Sequence, residues 1–235
     1  MKILAAVAAT CAILLGTSAH GAVLDLFPGP FTDSGSTPTV NVFNTATATG
    51  NWLDFYDEAS DVGTLYFSMD VTVDNNVDET GTGGFFAGLE MIGSVGGAGL
   101  AVGNYWASTR WGGVRFGDFN LQPDDATTEI ISGSSVMIAG KMVLGPLAGD
   151  DEVTLWLNPI PGAEGAQPAS HTTTLTAGDA YFNAANVRSG NGVGQSTYSN
   201  IVYGTDFSDV VIPEPSTLAL AALGLLGLAC RGRRR

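Results

Sequence analysis

The acidic side chains are the residues of this chain best suited to catalysis. Retaining glycoside hydrolysis needs two carboxyl groups about 5 Å apart, one as nucleophile and one as acid. Residues two apart on a strand face the same way, so alternate acids on one strand would meet that need. Asp57 and Glu58 with Asp61 have the wrong spacing, and the acids at 150–152 lie at a turn entering a strand. We assign no catalytic residue and expect that the protein is not an enzyme.

Nucleophilic chemistry finds little support either. Cys11 and Cys230 both lie in terminal segments, so the part between them holds no thiol, no disulfide and no cysteine-ligated metal. A Ser-His-Asp triad would have to use His171, which stands in a Thr-rich segment. We interpret His171 as a loop or edge-strand histidine.

Two acidic segments could in principle bind a metal ion. Asp74 to Asp78 places oxygen ligands like the first half of an EF-hand loop, but Glu79 stands where glycine is needed and Phe85 where the bidentate Glu is needed. A solvated hairpin turn after Val73 is the better reading, and Asp124-Asp125 also reads as a turn. We expect no cofactor, and calcium held by loop carboxylates is kept as the alternative.

The aromatic residues give the remaining hint of binding. Tyr105, Trp106 and Trp111 cluster with Arg110 between glycines. Flat aromatic faces beside hydrogen-bonding groups suit a sugar ring, whereas large aromatic residues in a sandwich also fill the core. The sequence leaves both readings open, and it predicts a sugar-binding site at Tyr105, Trp106 and Trp111 as the alternative to core packing.

The elements that must position these residues are strands. Residues 64–73 alternate with period two, which predicts Leu65, Phe67, Met69, Val71 and Val73 on one face. Residues 135–144 and 152–157 read the same way, and Gly-rich turns separate the strands. Trp156 faces opposite to its two leucine neighbours, on either side of the sheet. Outside the termini, no stretch of a dozen residues keeps a helical period, so the pattern predicts one all-β sandwich domain at 22–211.

The N-terminus indicates export. Lys2 gives a positive start, residues 3–15 are apolar, and small residues follow at 16–19. This pattern is typical of a secretory signal peptide at 1–21, cleaved after Ala19 or within two or three residues of it.

The charge of the predicted domain excludes two classes of partner. Four basic residues stand against 22 acidic ones between the two terminal segments, a formal charge of −18. Such a surface repels nucleic acid and anionic lipid. No nucleic-acid partner is expected.

The C-terminal segment, 212–235, carries three parts in order: Pro213-Glu214-Pro215, an apolar run at 218–230, and a basic end. The basic end consists of Arg231, Arg233, Arg234 and Arg235. This order resembles the PEP-CTERM sorting signal of exported bacterial proteins that an exosortase handles, typically in species that make exopolysaccharide. The resemblance implies export through the inner membrane, an exosortase-type partner, and delivery to the cell surface or the extracellular space.

The length of the apolar run favours processing over permanent anchoring. Its 13 residues rise only about 20 Å as a helix, against a hydrocarbon core of roughly 30 Å. We expect a short transmembrane helix that inserts transiently and is then cut, and a lifelong anchor is the alternative.

The C-terminal third also resembles the laminin-G or concanavalin-like jelly-roll domains often found before such tails. The resemblance rests on the strand at 151–159, the segments around 181–183 and 187–190, and the final strand Ile201-Val202-Tyr203, which opens with Ser199-Asn200. It implies an antiparallel jelly-roll sandwich, here flanked by a signal helix and a sorting helix. Polysaccharide-cleaving enzymes of that fold carry Glu-x-Asp-x-Glu or Glu-x-Asp-x-x-Glu on one strand, a pattern that this chain lacks.

Three functions compete at this point. The first is a noncatalytic structural or interaction module of the envelope, extracellular matrix or biofilm. The second is a carbohydrate-binding lectin acting on exopolysaccharide. The third is a polysaccharide-cleaving enzyme whose carboxylates are distant in sequence and meet in the fold. We rank them in that order, and the fold alone does not separate them.

Overall fold

The structure is a computed structural model. It describes residues 23–33, 40–44, 63–74, 86–92, 99–104, 113–116, 119–121, 133–145, 151–162, 164–167, 169, 171–174, 184–190 and 195–212. Both predicted terminal helices and the Asp74 to Asp78 turn beyond its first residue lie outside these segments. Within the described segments, no helix has both the length and the apolar character needed to cross a membrane.

The described segments are almost entirely β-strand, with one 3₁₀ turn and one short α-helix. The strands are β1 (Val23–Phe27), β2 (Phe31–Asp33), β3 (Val40–Asn44), β4 (Gly63–Asp74), β5 (Phe86–Ile92), β6 (Gly99–Asn104), β7 (Gly113–Phe116), β8 (Phe119–Leu121), β9 (Ser135–Leu144), β10 (Glu152–Leu157), β11 (His171–Thr174), β12 (Ala184–Gly190) and β13 (Gln195–Gly204). The 3₁₀ turn spans Glu164–Ala166, and the helix, α1, spans Phe207–Val210.

Two antiparallel sheets form a jelly-roll sandwich, as the sequence predicted. The seven-stranded sheet runs in the order β1, β13, β4, β9, β10, β11, with β2 also paired to β13. The six-stranded sheet runs in the order β3, β12, β5, β6, β7, β8. Strands distant in sequence are therefore direct neighbours, as β13 and β4 are in the centre of the larger sheet.

The main core fills the space between the two sheets. All five apolar residues predicted on one face of β4, from Leu65 to Val73, are fully buried in it. The predicted strands at 135–144 and 152–157 coincide with β9 and β10. Gly140 of β9 lies under the ring of Phe67, which occupies the space that a Cβ at Gly140 would need. The ring thereby fills the place of the side chain that Gly140 lacks, so the large residue in β4 and the glycine in β9 fit together.

The outer face of β4 is more buried than a simple alternation of apolar and polar residues predicts. Tyr66 is 8% exposed and Ser68 is fully buried, although they face away from the main core. Both lie under α1, which packs on this outer face, and Trp156 projects to the same side. The seven-stranded sheet is thus apolar on both faces near α1, because a polar outer face is needed only where water reaches it.

The last strand is longer than predicted. It begins at Gln195 rather than near Ser199, and it pairs with β4 over nearly its whole length. A register shift between Ser199 and Val202 marks a β-bulge, where Asn200 has φ 50°. Asn200 donates to Asp70 Oδ2 at 2.7 Å across the strand pair. The Ser-Asn pair that looked like the opening of a strand is therefore the bulge inside one.

Candidate functional site

The C-terminal end of the sandwich is held by α1, which forms a small second core with the outer face of the seven-stranded sheet. Phe207, Val210 and Val211 are all 2% exposed or less. The other members of this outer-face cluster are Tyr66, Ala139, Trp156 and Val202, with Met137 packed against them. One turn of helix would not be stable alone, so this apolar contact holds it in place.

Aromatic contacts anchor the helix at Phe207. Its ring meets the ring of Trp156 edge-on, with centroids 5.0 Å apart and an interplanar angle of 72°. It meets the ring of Tyr66 in the same way at 6.5 Å and 81°. Such edge-to-face pairs add to the area that burial removes from water.

Hydrogen bonds fix both ends of α1. At its start, Asp206 accepts from the Ser208 backbone N–H at 2.9 Å, and the Asp206 N–H donates to Asp209 Oδ2 at 3.0 Å, forming a capping box. At its end, the Ser68 hydroxyl donates to the Val210 carbonyl at 2.8 Å. The Val211 N–H donates to the Phe207 carbonyl at 3.0 Å. The backbone is therefore hydrogen-bonded to the sheet at Val210, and the Val211 N–H closes the last turn of α1.

Burial changes sharply between the last two described residues. Val211 is 2% exposed, whereas Ile212 is 49% exposed. Pro213, Glu214 and Pro215 come next in the sequence and lie outside the described residues, as do Arg231, Arg233, Arg234 and Arg235. A single exposed residue separates the buried core from the predicted sorting motif.

A polar cluster beside α1 joins the 3₁₀ turn to the sheet. The Tyr66 hydroxyl donates to Glu164 Oε2 at 2.7 Å, and Lys141 Nζ lies 3.1 Å from Glu164 Oε1. The same ammonium group lies 5.8 Å from the centre of the Tyr66 ring. Two hydrogen bonds between Gln167 and Ile160, each 2.8 Å long, close the connection that carries Glu164.

Tyr66, Lys141 and Glu164 form a structural clasp, a set of side chains that links the 3₁₀ turn to the sheet. Burial raises the pKa of Tyr66 far above its ordinary value, and the hydrogen bond to Glu164 raises that pKa further. The phenol therefore stays protonated and donates its proton to the carboxylate, so it is no ready nucleophile. Both oxygens of Glu164 are engaged by Tyr66 and Lys141. The three side chains satisfy one another and hold the 3₁₀ turn on the outer face.

The six-stranded sheet contains a close backbone approach between two of its strands. Gly88 of β5 and Gly103 of β6 stand opposite each other. A Cβ at Gly103 would lie 2.6 Å from Gly88 Cα, so the two strands approach too closely for any larger residue. Gly103 also has φ 146°, a conformation that favours glycine. Glu90 and Ala101 form the next pair on the same face, and Asn186 of β12 pairs with Glu90.

The predicted sugar-binding residues belong to a connection on this sheet. Residues 105–112, which include Tyr105, Trp106 and Trp111, join the end of β6 to the start of β7 and lie outside the described residues. Asn104, the last residue of β6, is fully buried. The prediction for the three aromatic residues therefore stays a prediction.

The other candidates for chemistry are placed as follows. His171 opens β11, which lies at the edge of the seven-stranded sheet, so the edge-strand interpretation is confirmed. Asp151 is 1% exposed and accepts from the Gly145 N–H at 2.8 Å, so it closes the turn into β10 as expected. No three His, Cys, Asp or Glu side chains converge on a metal site in the described part of the chain.

Sequence reasoning missed the outer-face cluster. One signal was present, because Asp206 and Asp209 have the spacing of a capping box. Nothing local links Glu164 to Tyr66, which lies 98 positions earlier, so only the fold brings them together.

The comparisons with known proteins concern the tail and the fold. Residues 211–235 match the PEP-CTERM protein-sorting motif. This match confirms the resemblance drawn from the sequence, and it marks an exported protein sorted by an exosortase-type system. It begins at Val211, the last buried residue among those that the structure describes. Comparison with curated proteins finds no match.

Solved structures share the fold at low identity. A mutant of Trypanosoma rangeli sialidase displaying trans-sialidase activity is 13% identical with a TM-score of 0.47, covering 79% of this chain and 27% of its own. Alginate lyase vAL-1 from Chlorella virus is 9% identical, with a TM-score of 0.41 and coverages of 83% and 97%. An endo-1,3-beta-glucanase from Streptomyces sioyaensis is 11% identical, with a TM-score of 0.43 and coverages of 80% and 98%. At these identities and TM-scores, no substrate and no site of these proteins is assigned to this chain.

The expectation that the protein is not an enzyme is corrected by the same comparison. The similar structures are mostly enzymes, among them a sialidase, an alginate lyase and a glucanase, so this chain is not classed as noncatalytic. The expectation rested on acids within single strands. In the sandwich, β13 and β4 are neighbours although they are far apart in sequence, so local spacing does not test for a carboxylate pair.

Proposed function

We propose, from the premise that the chain ends in a PEP-CTERM protein-sorting motif, that an exosortase-type enzyme recognises Pro213, Glu214 and Pro215 and cuts the tail. Hydrolysis would add water across one peptide bond, leaving a carboxylate on the sandwich and an amine on the tail. The tail inserts transiently in the inner membrane, held by its four arginines. The sandwich is then delivered to the cell surface or the extracellular matrix, or into a biofilm.

One observation carries this proposal. The sorting-motif match begins at residue 211, and Val211 is the last buried residue in the part of the chain that the structure describes. The sequence comparison thus places the start of the sorting segment at the point where the described core is last seen. This agreement supports a domain at 22–211 that keeps its whole core when the segment 212–235 is removed.

The test is the mass of the exported protein in a host that supplies the processing enzyme. We expect the delivered form to lack the apolar run and the arginine end. Replacing Pro213, Glu214 and Pro215 with alanine should leave the full tail in place. A matched control replaces the exposed Ile160, which lies outside the tail, with alanine and should change nothing. An intact tail on the delivered wild-type protein would overturn the proposal and favour a permanent anchor.

A second candidate function concerns what the delivered sandwich binds. Tyr105, Trp106 and Trp111 belong to the segment that joins β6 to β7 along the chain. Flat aromatic faces beside hydrogen-bonding groups would suit the rings of an exopolysaccharide. Calcium held by loop carboxylates is kept as a proposal, tested by the shift of the melting temperature with chelator.

A glycan array separates this candidate from a purely structural role. We expect polysaccharide binding that Trp106→Ala and Trp111→Ala each weaken at least about tenfold. Trp156→Phe serves as the control, because Trp156 is buried in the outer-face cluster on the other sheet. Binding that survives both tryptophan changes would discredit the site. Release of reducing ends from a bound polysaccharide would identify an enzyme rather than a lectin.

A further inference from the structure

The sorting motif begins almost inside the folded domain. Pro213 follows Ile212 directly, and the residue before Ile212 is buried to 2% exposure. Peptide-binding clefts commonly take their substrates as extended strands that offer backbone hydrogen bonds on both sides of the recognised residues. The residues on the N-terminal side of this motif are not free to adopt that form while α1 is docked.

The contacts of α1 are the reason. The Val211 N–H is committed to the Phe207 carbonyl and the Val210 carbonyl to the Ser68 hydroxyl. Val210 and Val211 also have their side chains in the outer-face cluster. A peptidase acting near Pro213 would have to compete with each of these interactions or collide with the sheet.

We propose that α1 must undock from the seven-stranded sheet before the tail is cut, so that Phe207 to Ile212 become an extended substrate segment. This inference rests on the proposed processing of the tail. Phe207, Val210 and Val211 act as positioning residues, and they touch no reacting atom while docked. The rate of cutting is then reduced by the fraction of molecules that are docked.

The undocking unit is separable from the main core. Its contacts are those of one helical turn with the outer face, whereas the residues of the main core lie on the opposite face of the same strands. Local openings of such terminal elements need less free energy than global unfolding. The sandwich can therefore release α1 and keep its core.

A spacer gives the sharpest test. Inserting Gly-Ser-Gly-Ser between Ile212 and Pro213 leaves α1 docked but supplies an extended segment before the motif. We expect the full chain with this insert to be processed roughly tenfold faster than wild type, measured as the ratio of cut to uncut protein over time. An unchanged rate overturns the inference. Changing Pro213, Glu214 and Pro215 to alanine in the spacer chain should stop cutting, which shows that the same motif is still used.

Weakening the contact between α1 and the sheet should also make the tail be cut faster. Ser68→Ala removes the hydrogen bond to Val210, and we expect processing about two- to fivefold faster. Ile138→Ala in the main core is the control, since it lowers the stability of the whole domain without touching α1. If Ile138→Ala accelerates processing as much as Ser68→Ala does, general instability explains the effect and the inference is wrong.

Hydrogen exchange separates this inference from the proposed function, because it needs no processing enzyme. We expect the Val211 amide of the intact chain to be protected in wild type and to exchange several-fold faster in Ser68→Ala. An unprotected Val211 amide in wild type contradicts the docked state. An uncut tail in cells would instead overturn the proposed function, whatever the exchange shows.

Discussion

The two apolar clusters of the sandwich are built in different ways. The main core lies between the sheets and is lined by residues that alternate along long strands such as β4, β9 and β13. The outer-face cluster depends on one helical turn and on side chains from the four strands β4, β9, β10 and β13. The alternation of apolar and polar residues along the sequence predicts the main core. The outer-face cluster forms only because the chain returns to the sheet after β13. This difference predicts that the main core sets global stability and that the outer-face cluster governs the end of the chain.

The largest effect is expected in the main core. Phe67→Ala removes a fully buried ring that also covers Gly140. It should lower the free energy of unfolding by about 3–5 kcal/mol, measured by denaturant titration of the full chain. A loss below about 1 kcal/mol would show that the ring is not central to the core.

The matched change in the outer-face cluster is Phe207→Ala. It removes the edge-on contacts to Trp156 and Tyr66, and its cost cannot exceed the free energy that docks α1. We expect a loss of about 1–3 kcal/mol, with exchange of the Val211 amide accelerated far more than exchange in β4. Equal acceleration in both places would show that the two clusters unfold as one unit.

A smaller effect is expected at the clasp. Tyr66→Phe keeps the ring packed on Phe207 but removes the hydroxyl that donates to Glu164 at 2.7 Å. The expected loss of unfolding free energy is about 1 kcal/mol. A double-mutant cycle with Glu164→Ala should recover most of this as coupling, and additive effects would contradict the hydrogen bond.

The smallest effect is expected from alkaline pH at the same residue. The pKa of Tyr66 is raised above its ordinary value of 10.0, first by burial. A raised folded pKa means that the stabilisation is fully present below pH 10.0 and is lost as pH rises above it. Unfolding free energy measured from pH 9 to about 10 should fall less in Tyr66→Phe than in wild type. Burial also raises the pKa of Tyr203, so part of the slope should remain in the variant. Identical slopes would contradict the assignment to Tyr66.

Sequence reasoning predicted the parts of the fold that depend on local pattern. β9 and β10 have the predicted bounds, and β4 differs by one residue at each end. It misplaced the start of β13, because the bulge at Asn200 looks like the opening of a strand. It left the side of Trp156 open, since alternation gives the opposite face from Leu155 but not which face another element covers.

The features of the candidate site also differ in whether the sequence alone predicts them. The sorting motif could be identified from Pro213, Glu214 and Pro215 with the apolar and basic segments after them, because recognition of a tail depends on an ordered sequence. The classification as a noncatalytic protein failed because it used the spacing of acids within one strand. Residues that pair across neighbouring strands can be far apart along the chain, as Asp70 and Ser199 are between β4 and β13, so the spacing of acids within one strand does not test for a carboxylate pair.

The sequence by itself determined the strands at 64–73, 135–144 and 152–157, the acidic charge, and the order of motif, apolar run and arginines in the tail. Each of these depends on neighbouring residues, so period, charge and order are enough to read it. Only the tertiary structure decided that Phe207 packs on Trp156 and Tyr66 and that Ser68 holds Val210. Ser68 and Val210 are 142 positions apart, and their contact exists because β13 lies beside β4 and returns the end of the chain to the outer face. One exposed residue, Ile212, therefore stands between the buried Val211 and the first proline of the sorting motif.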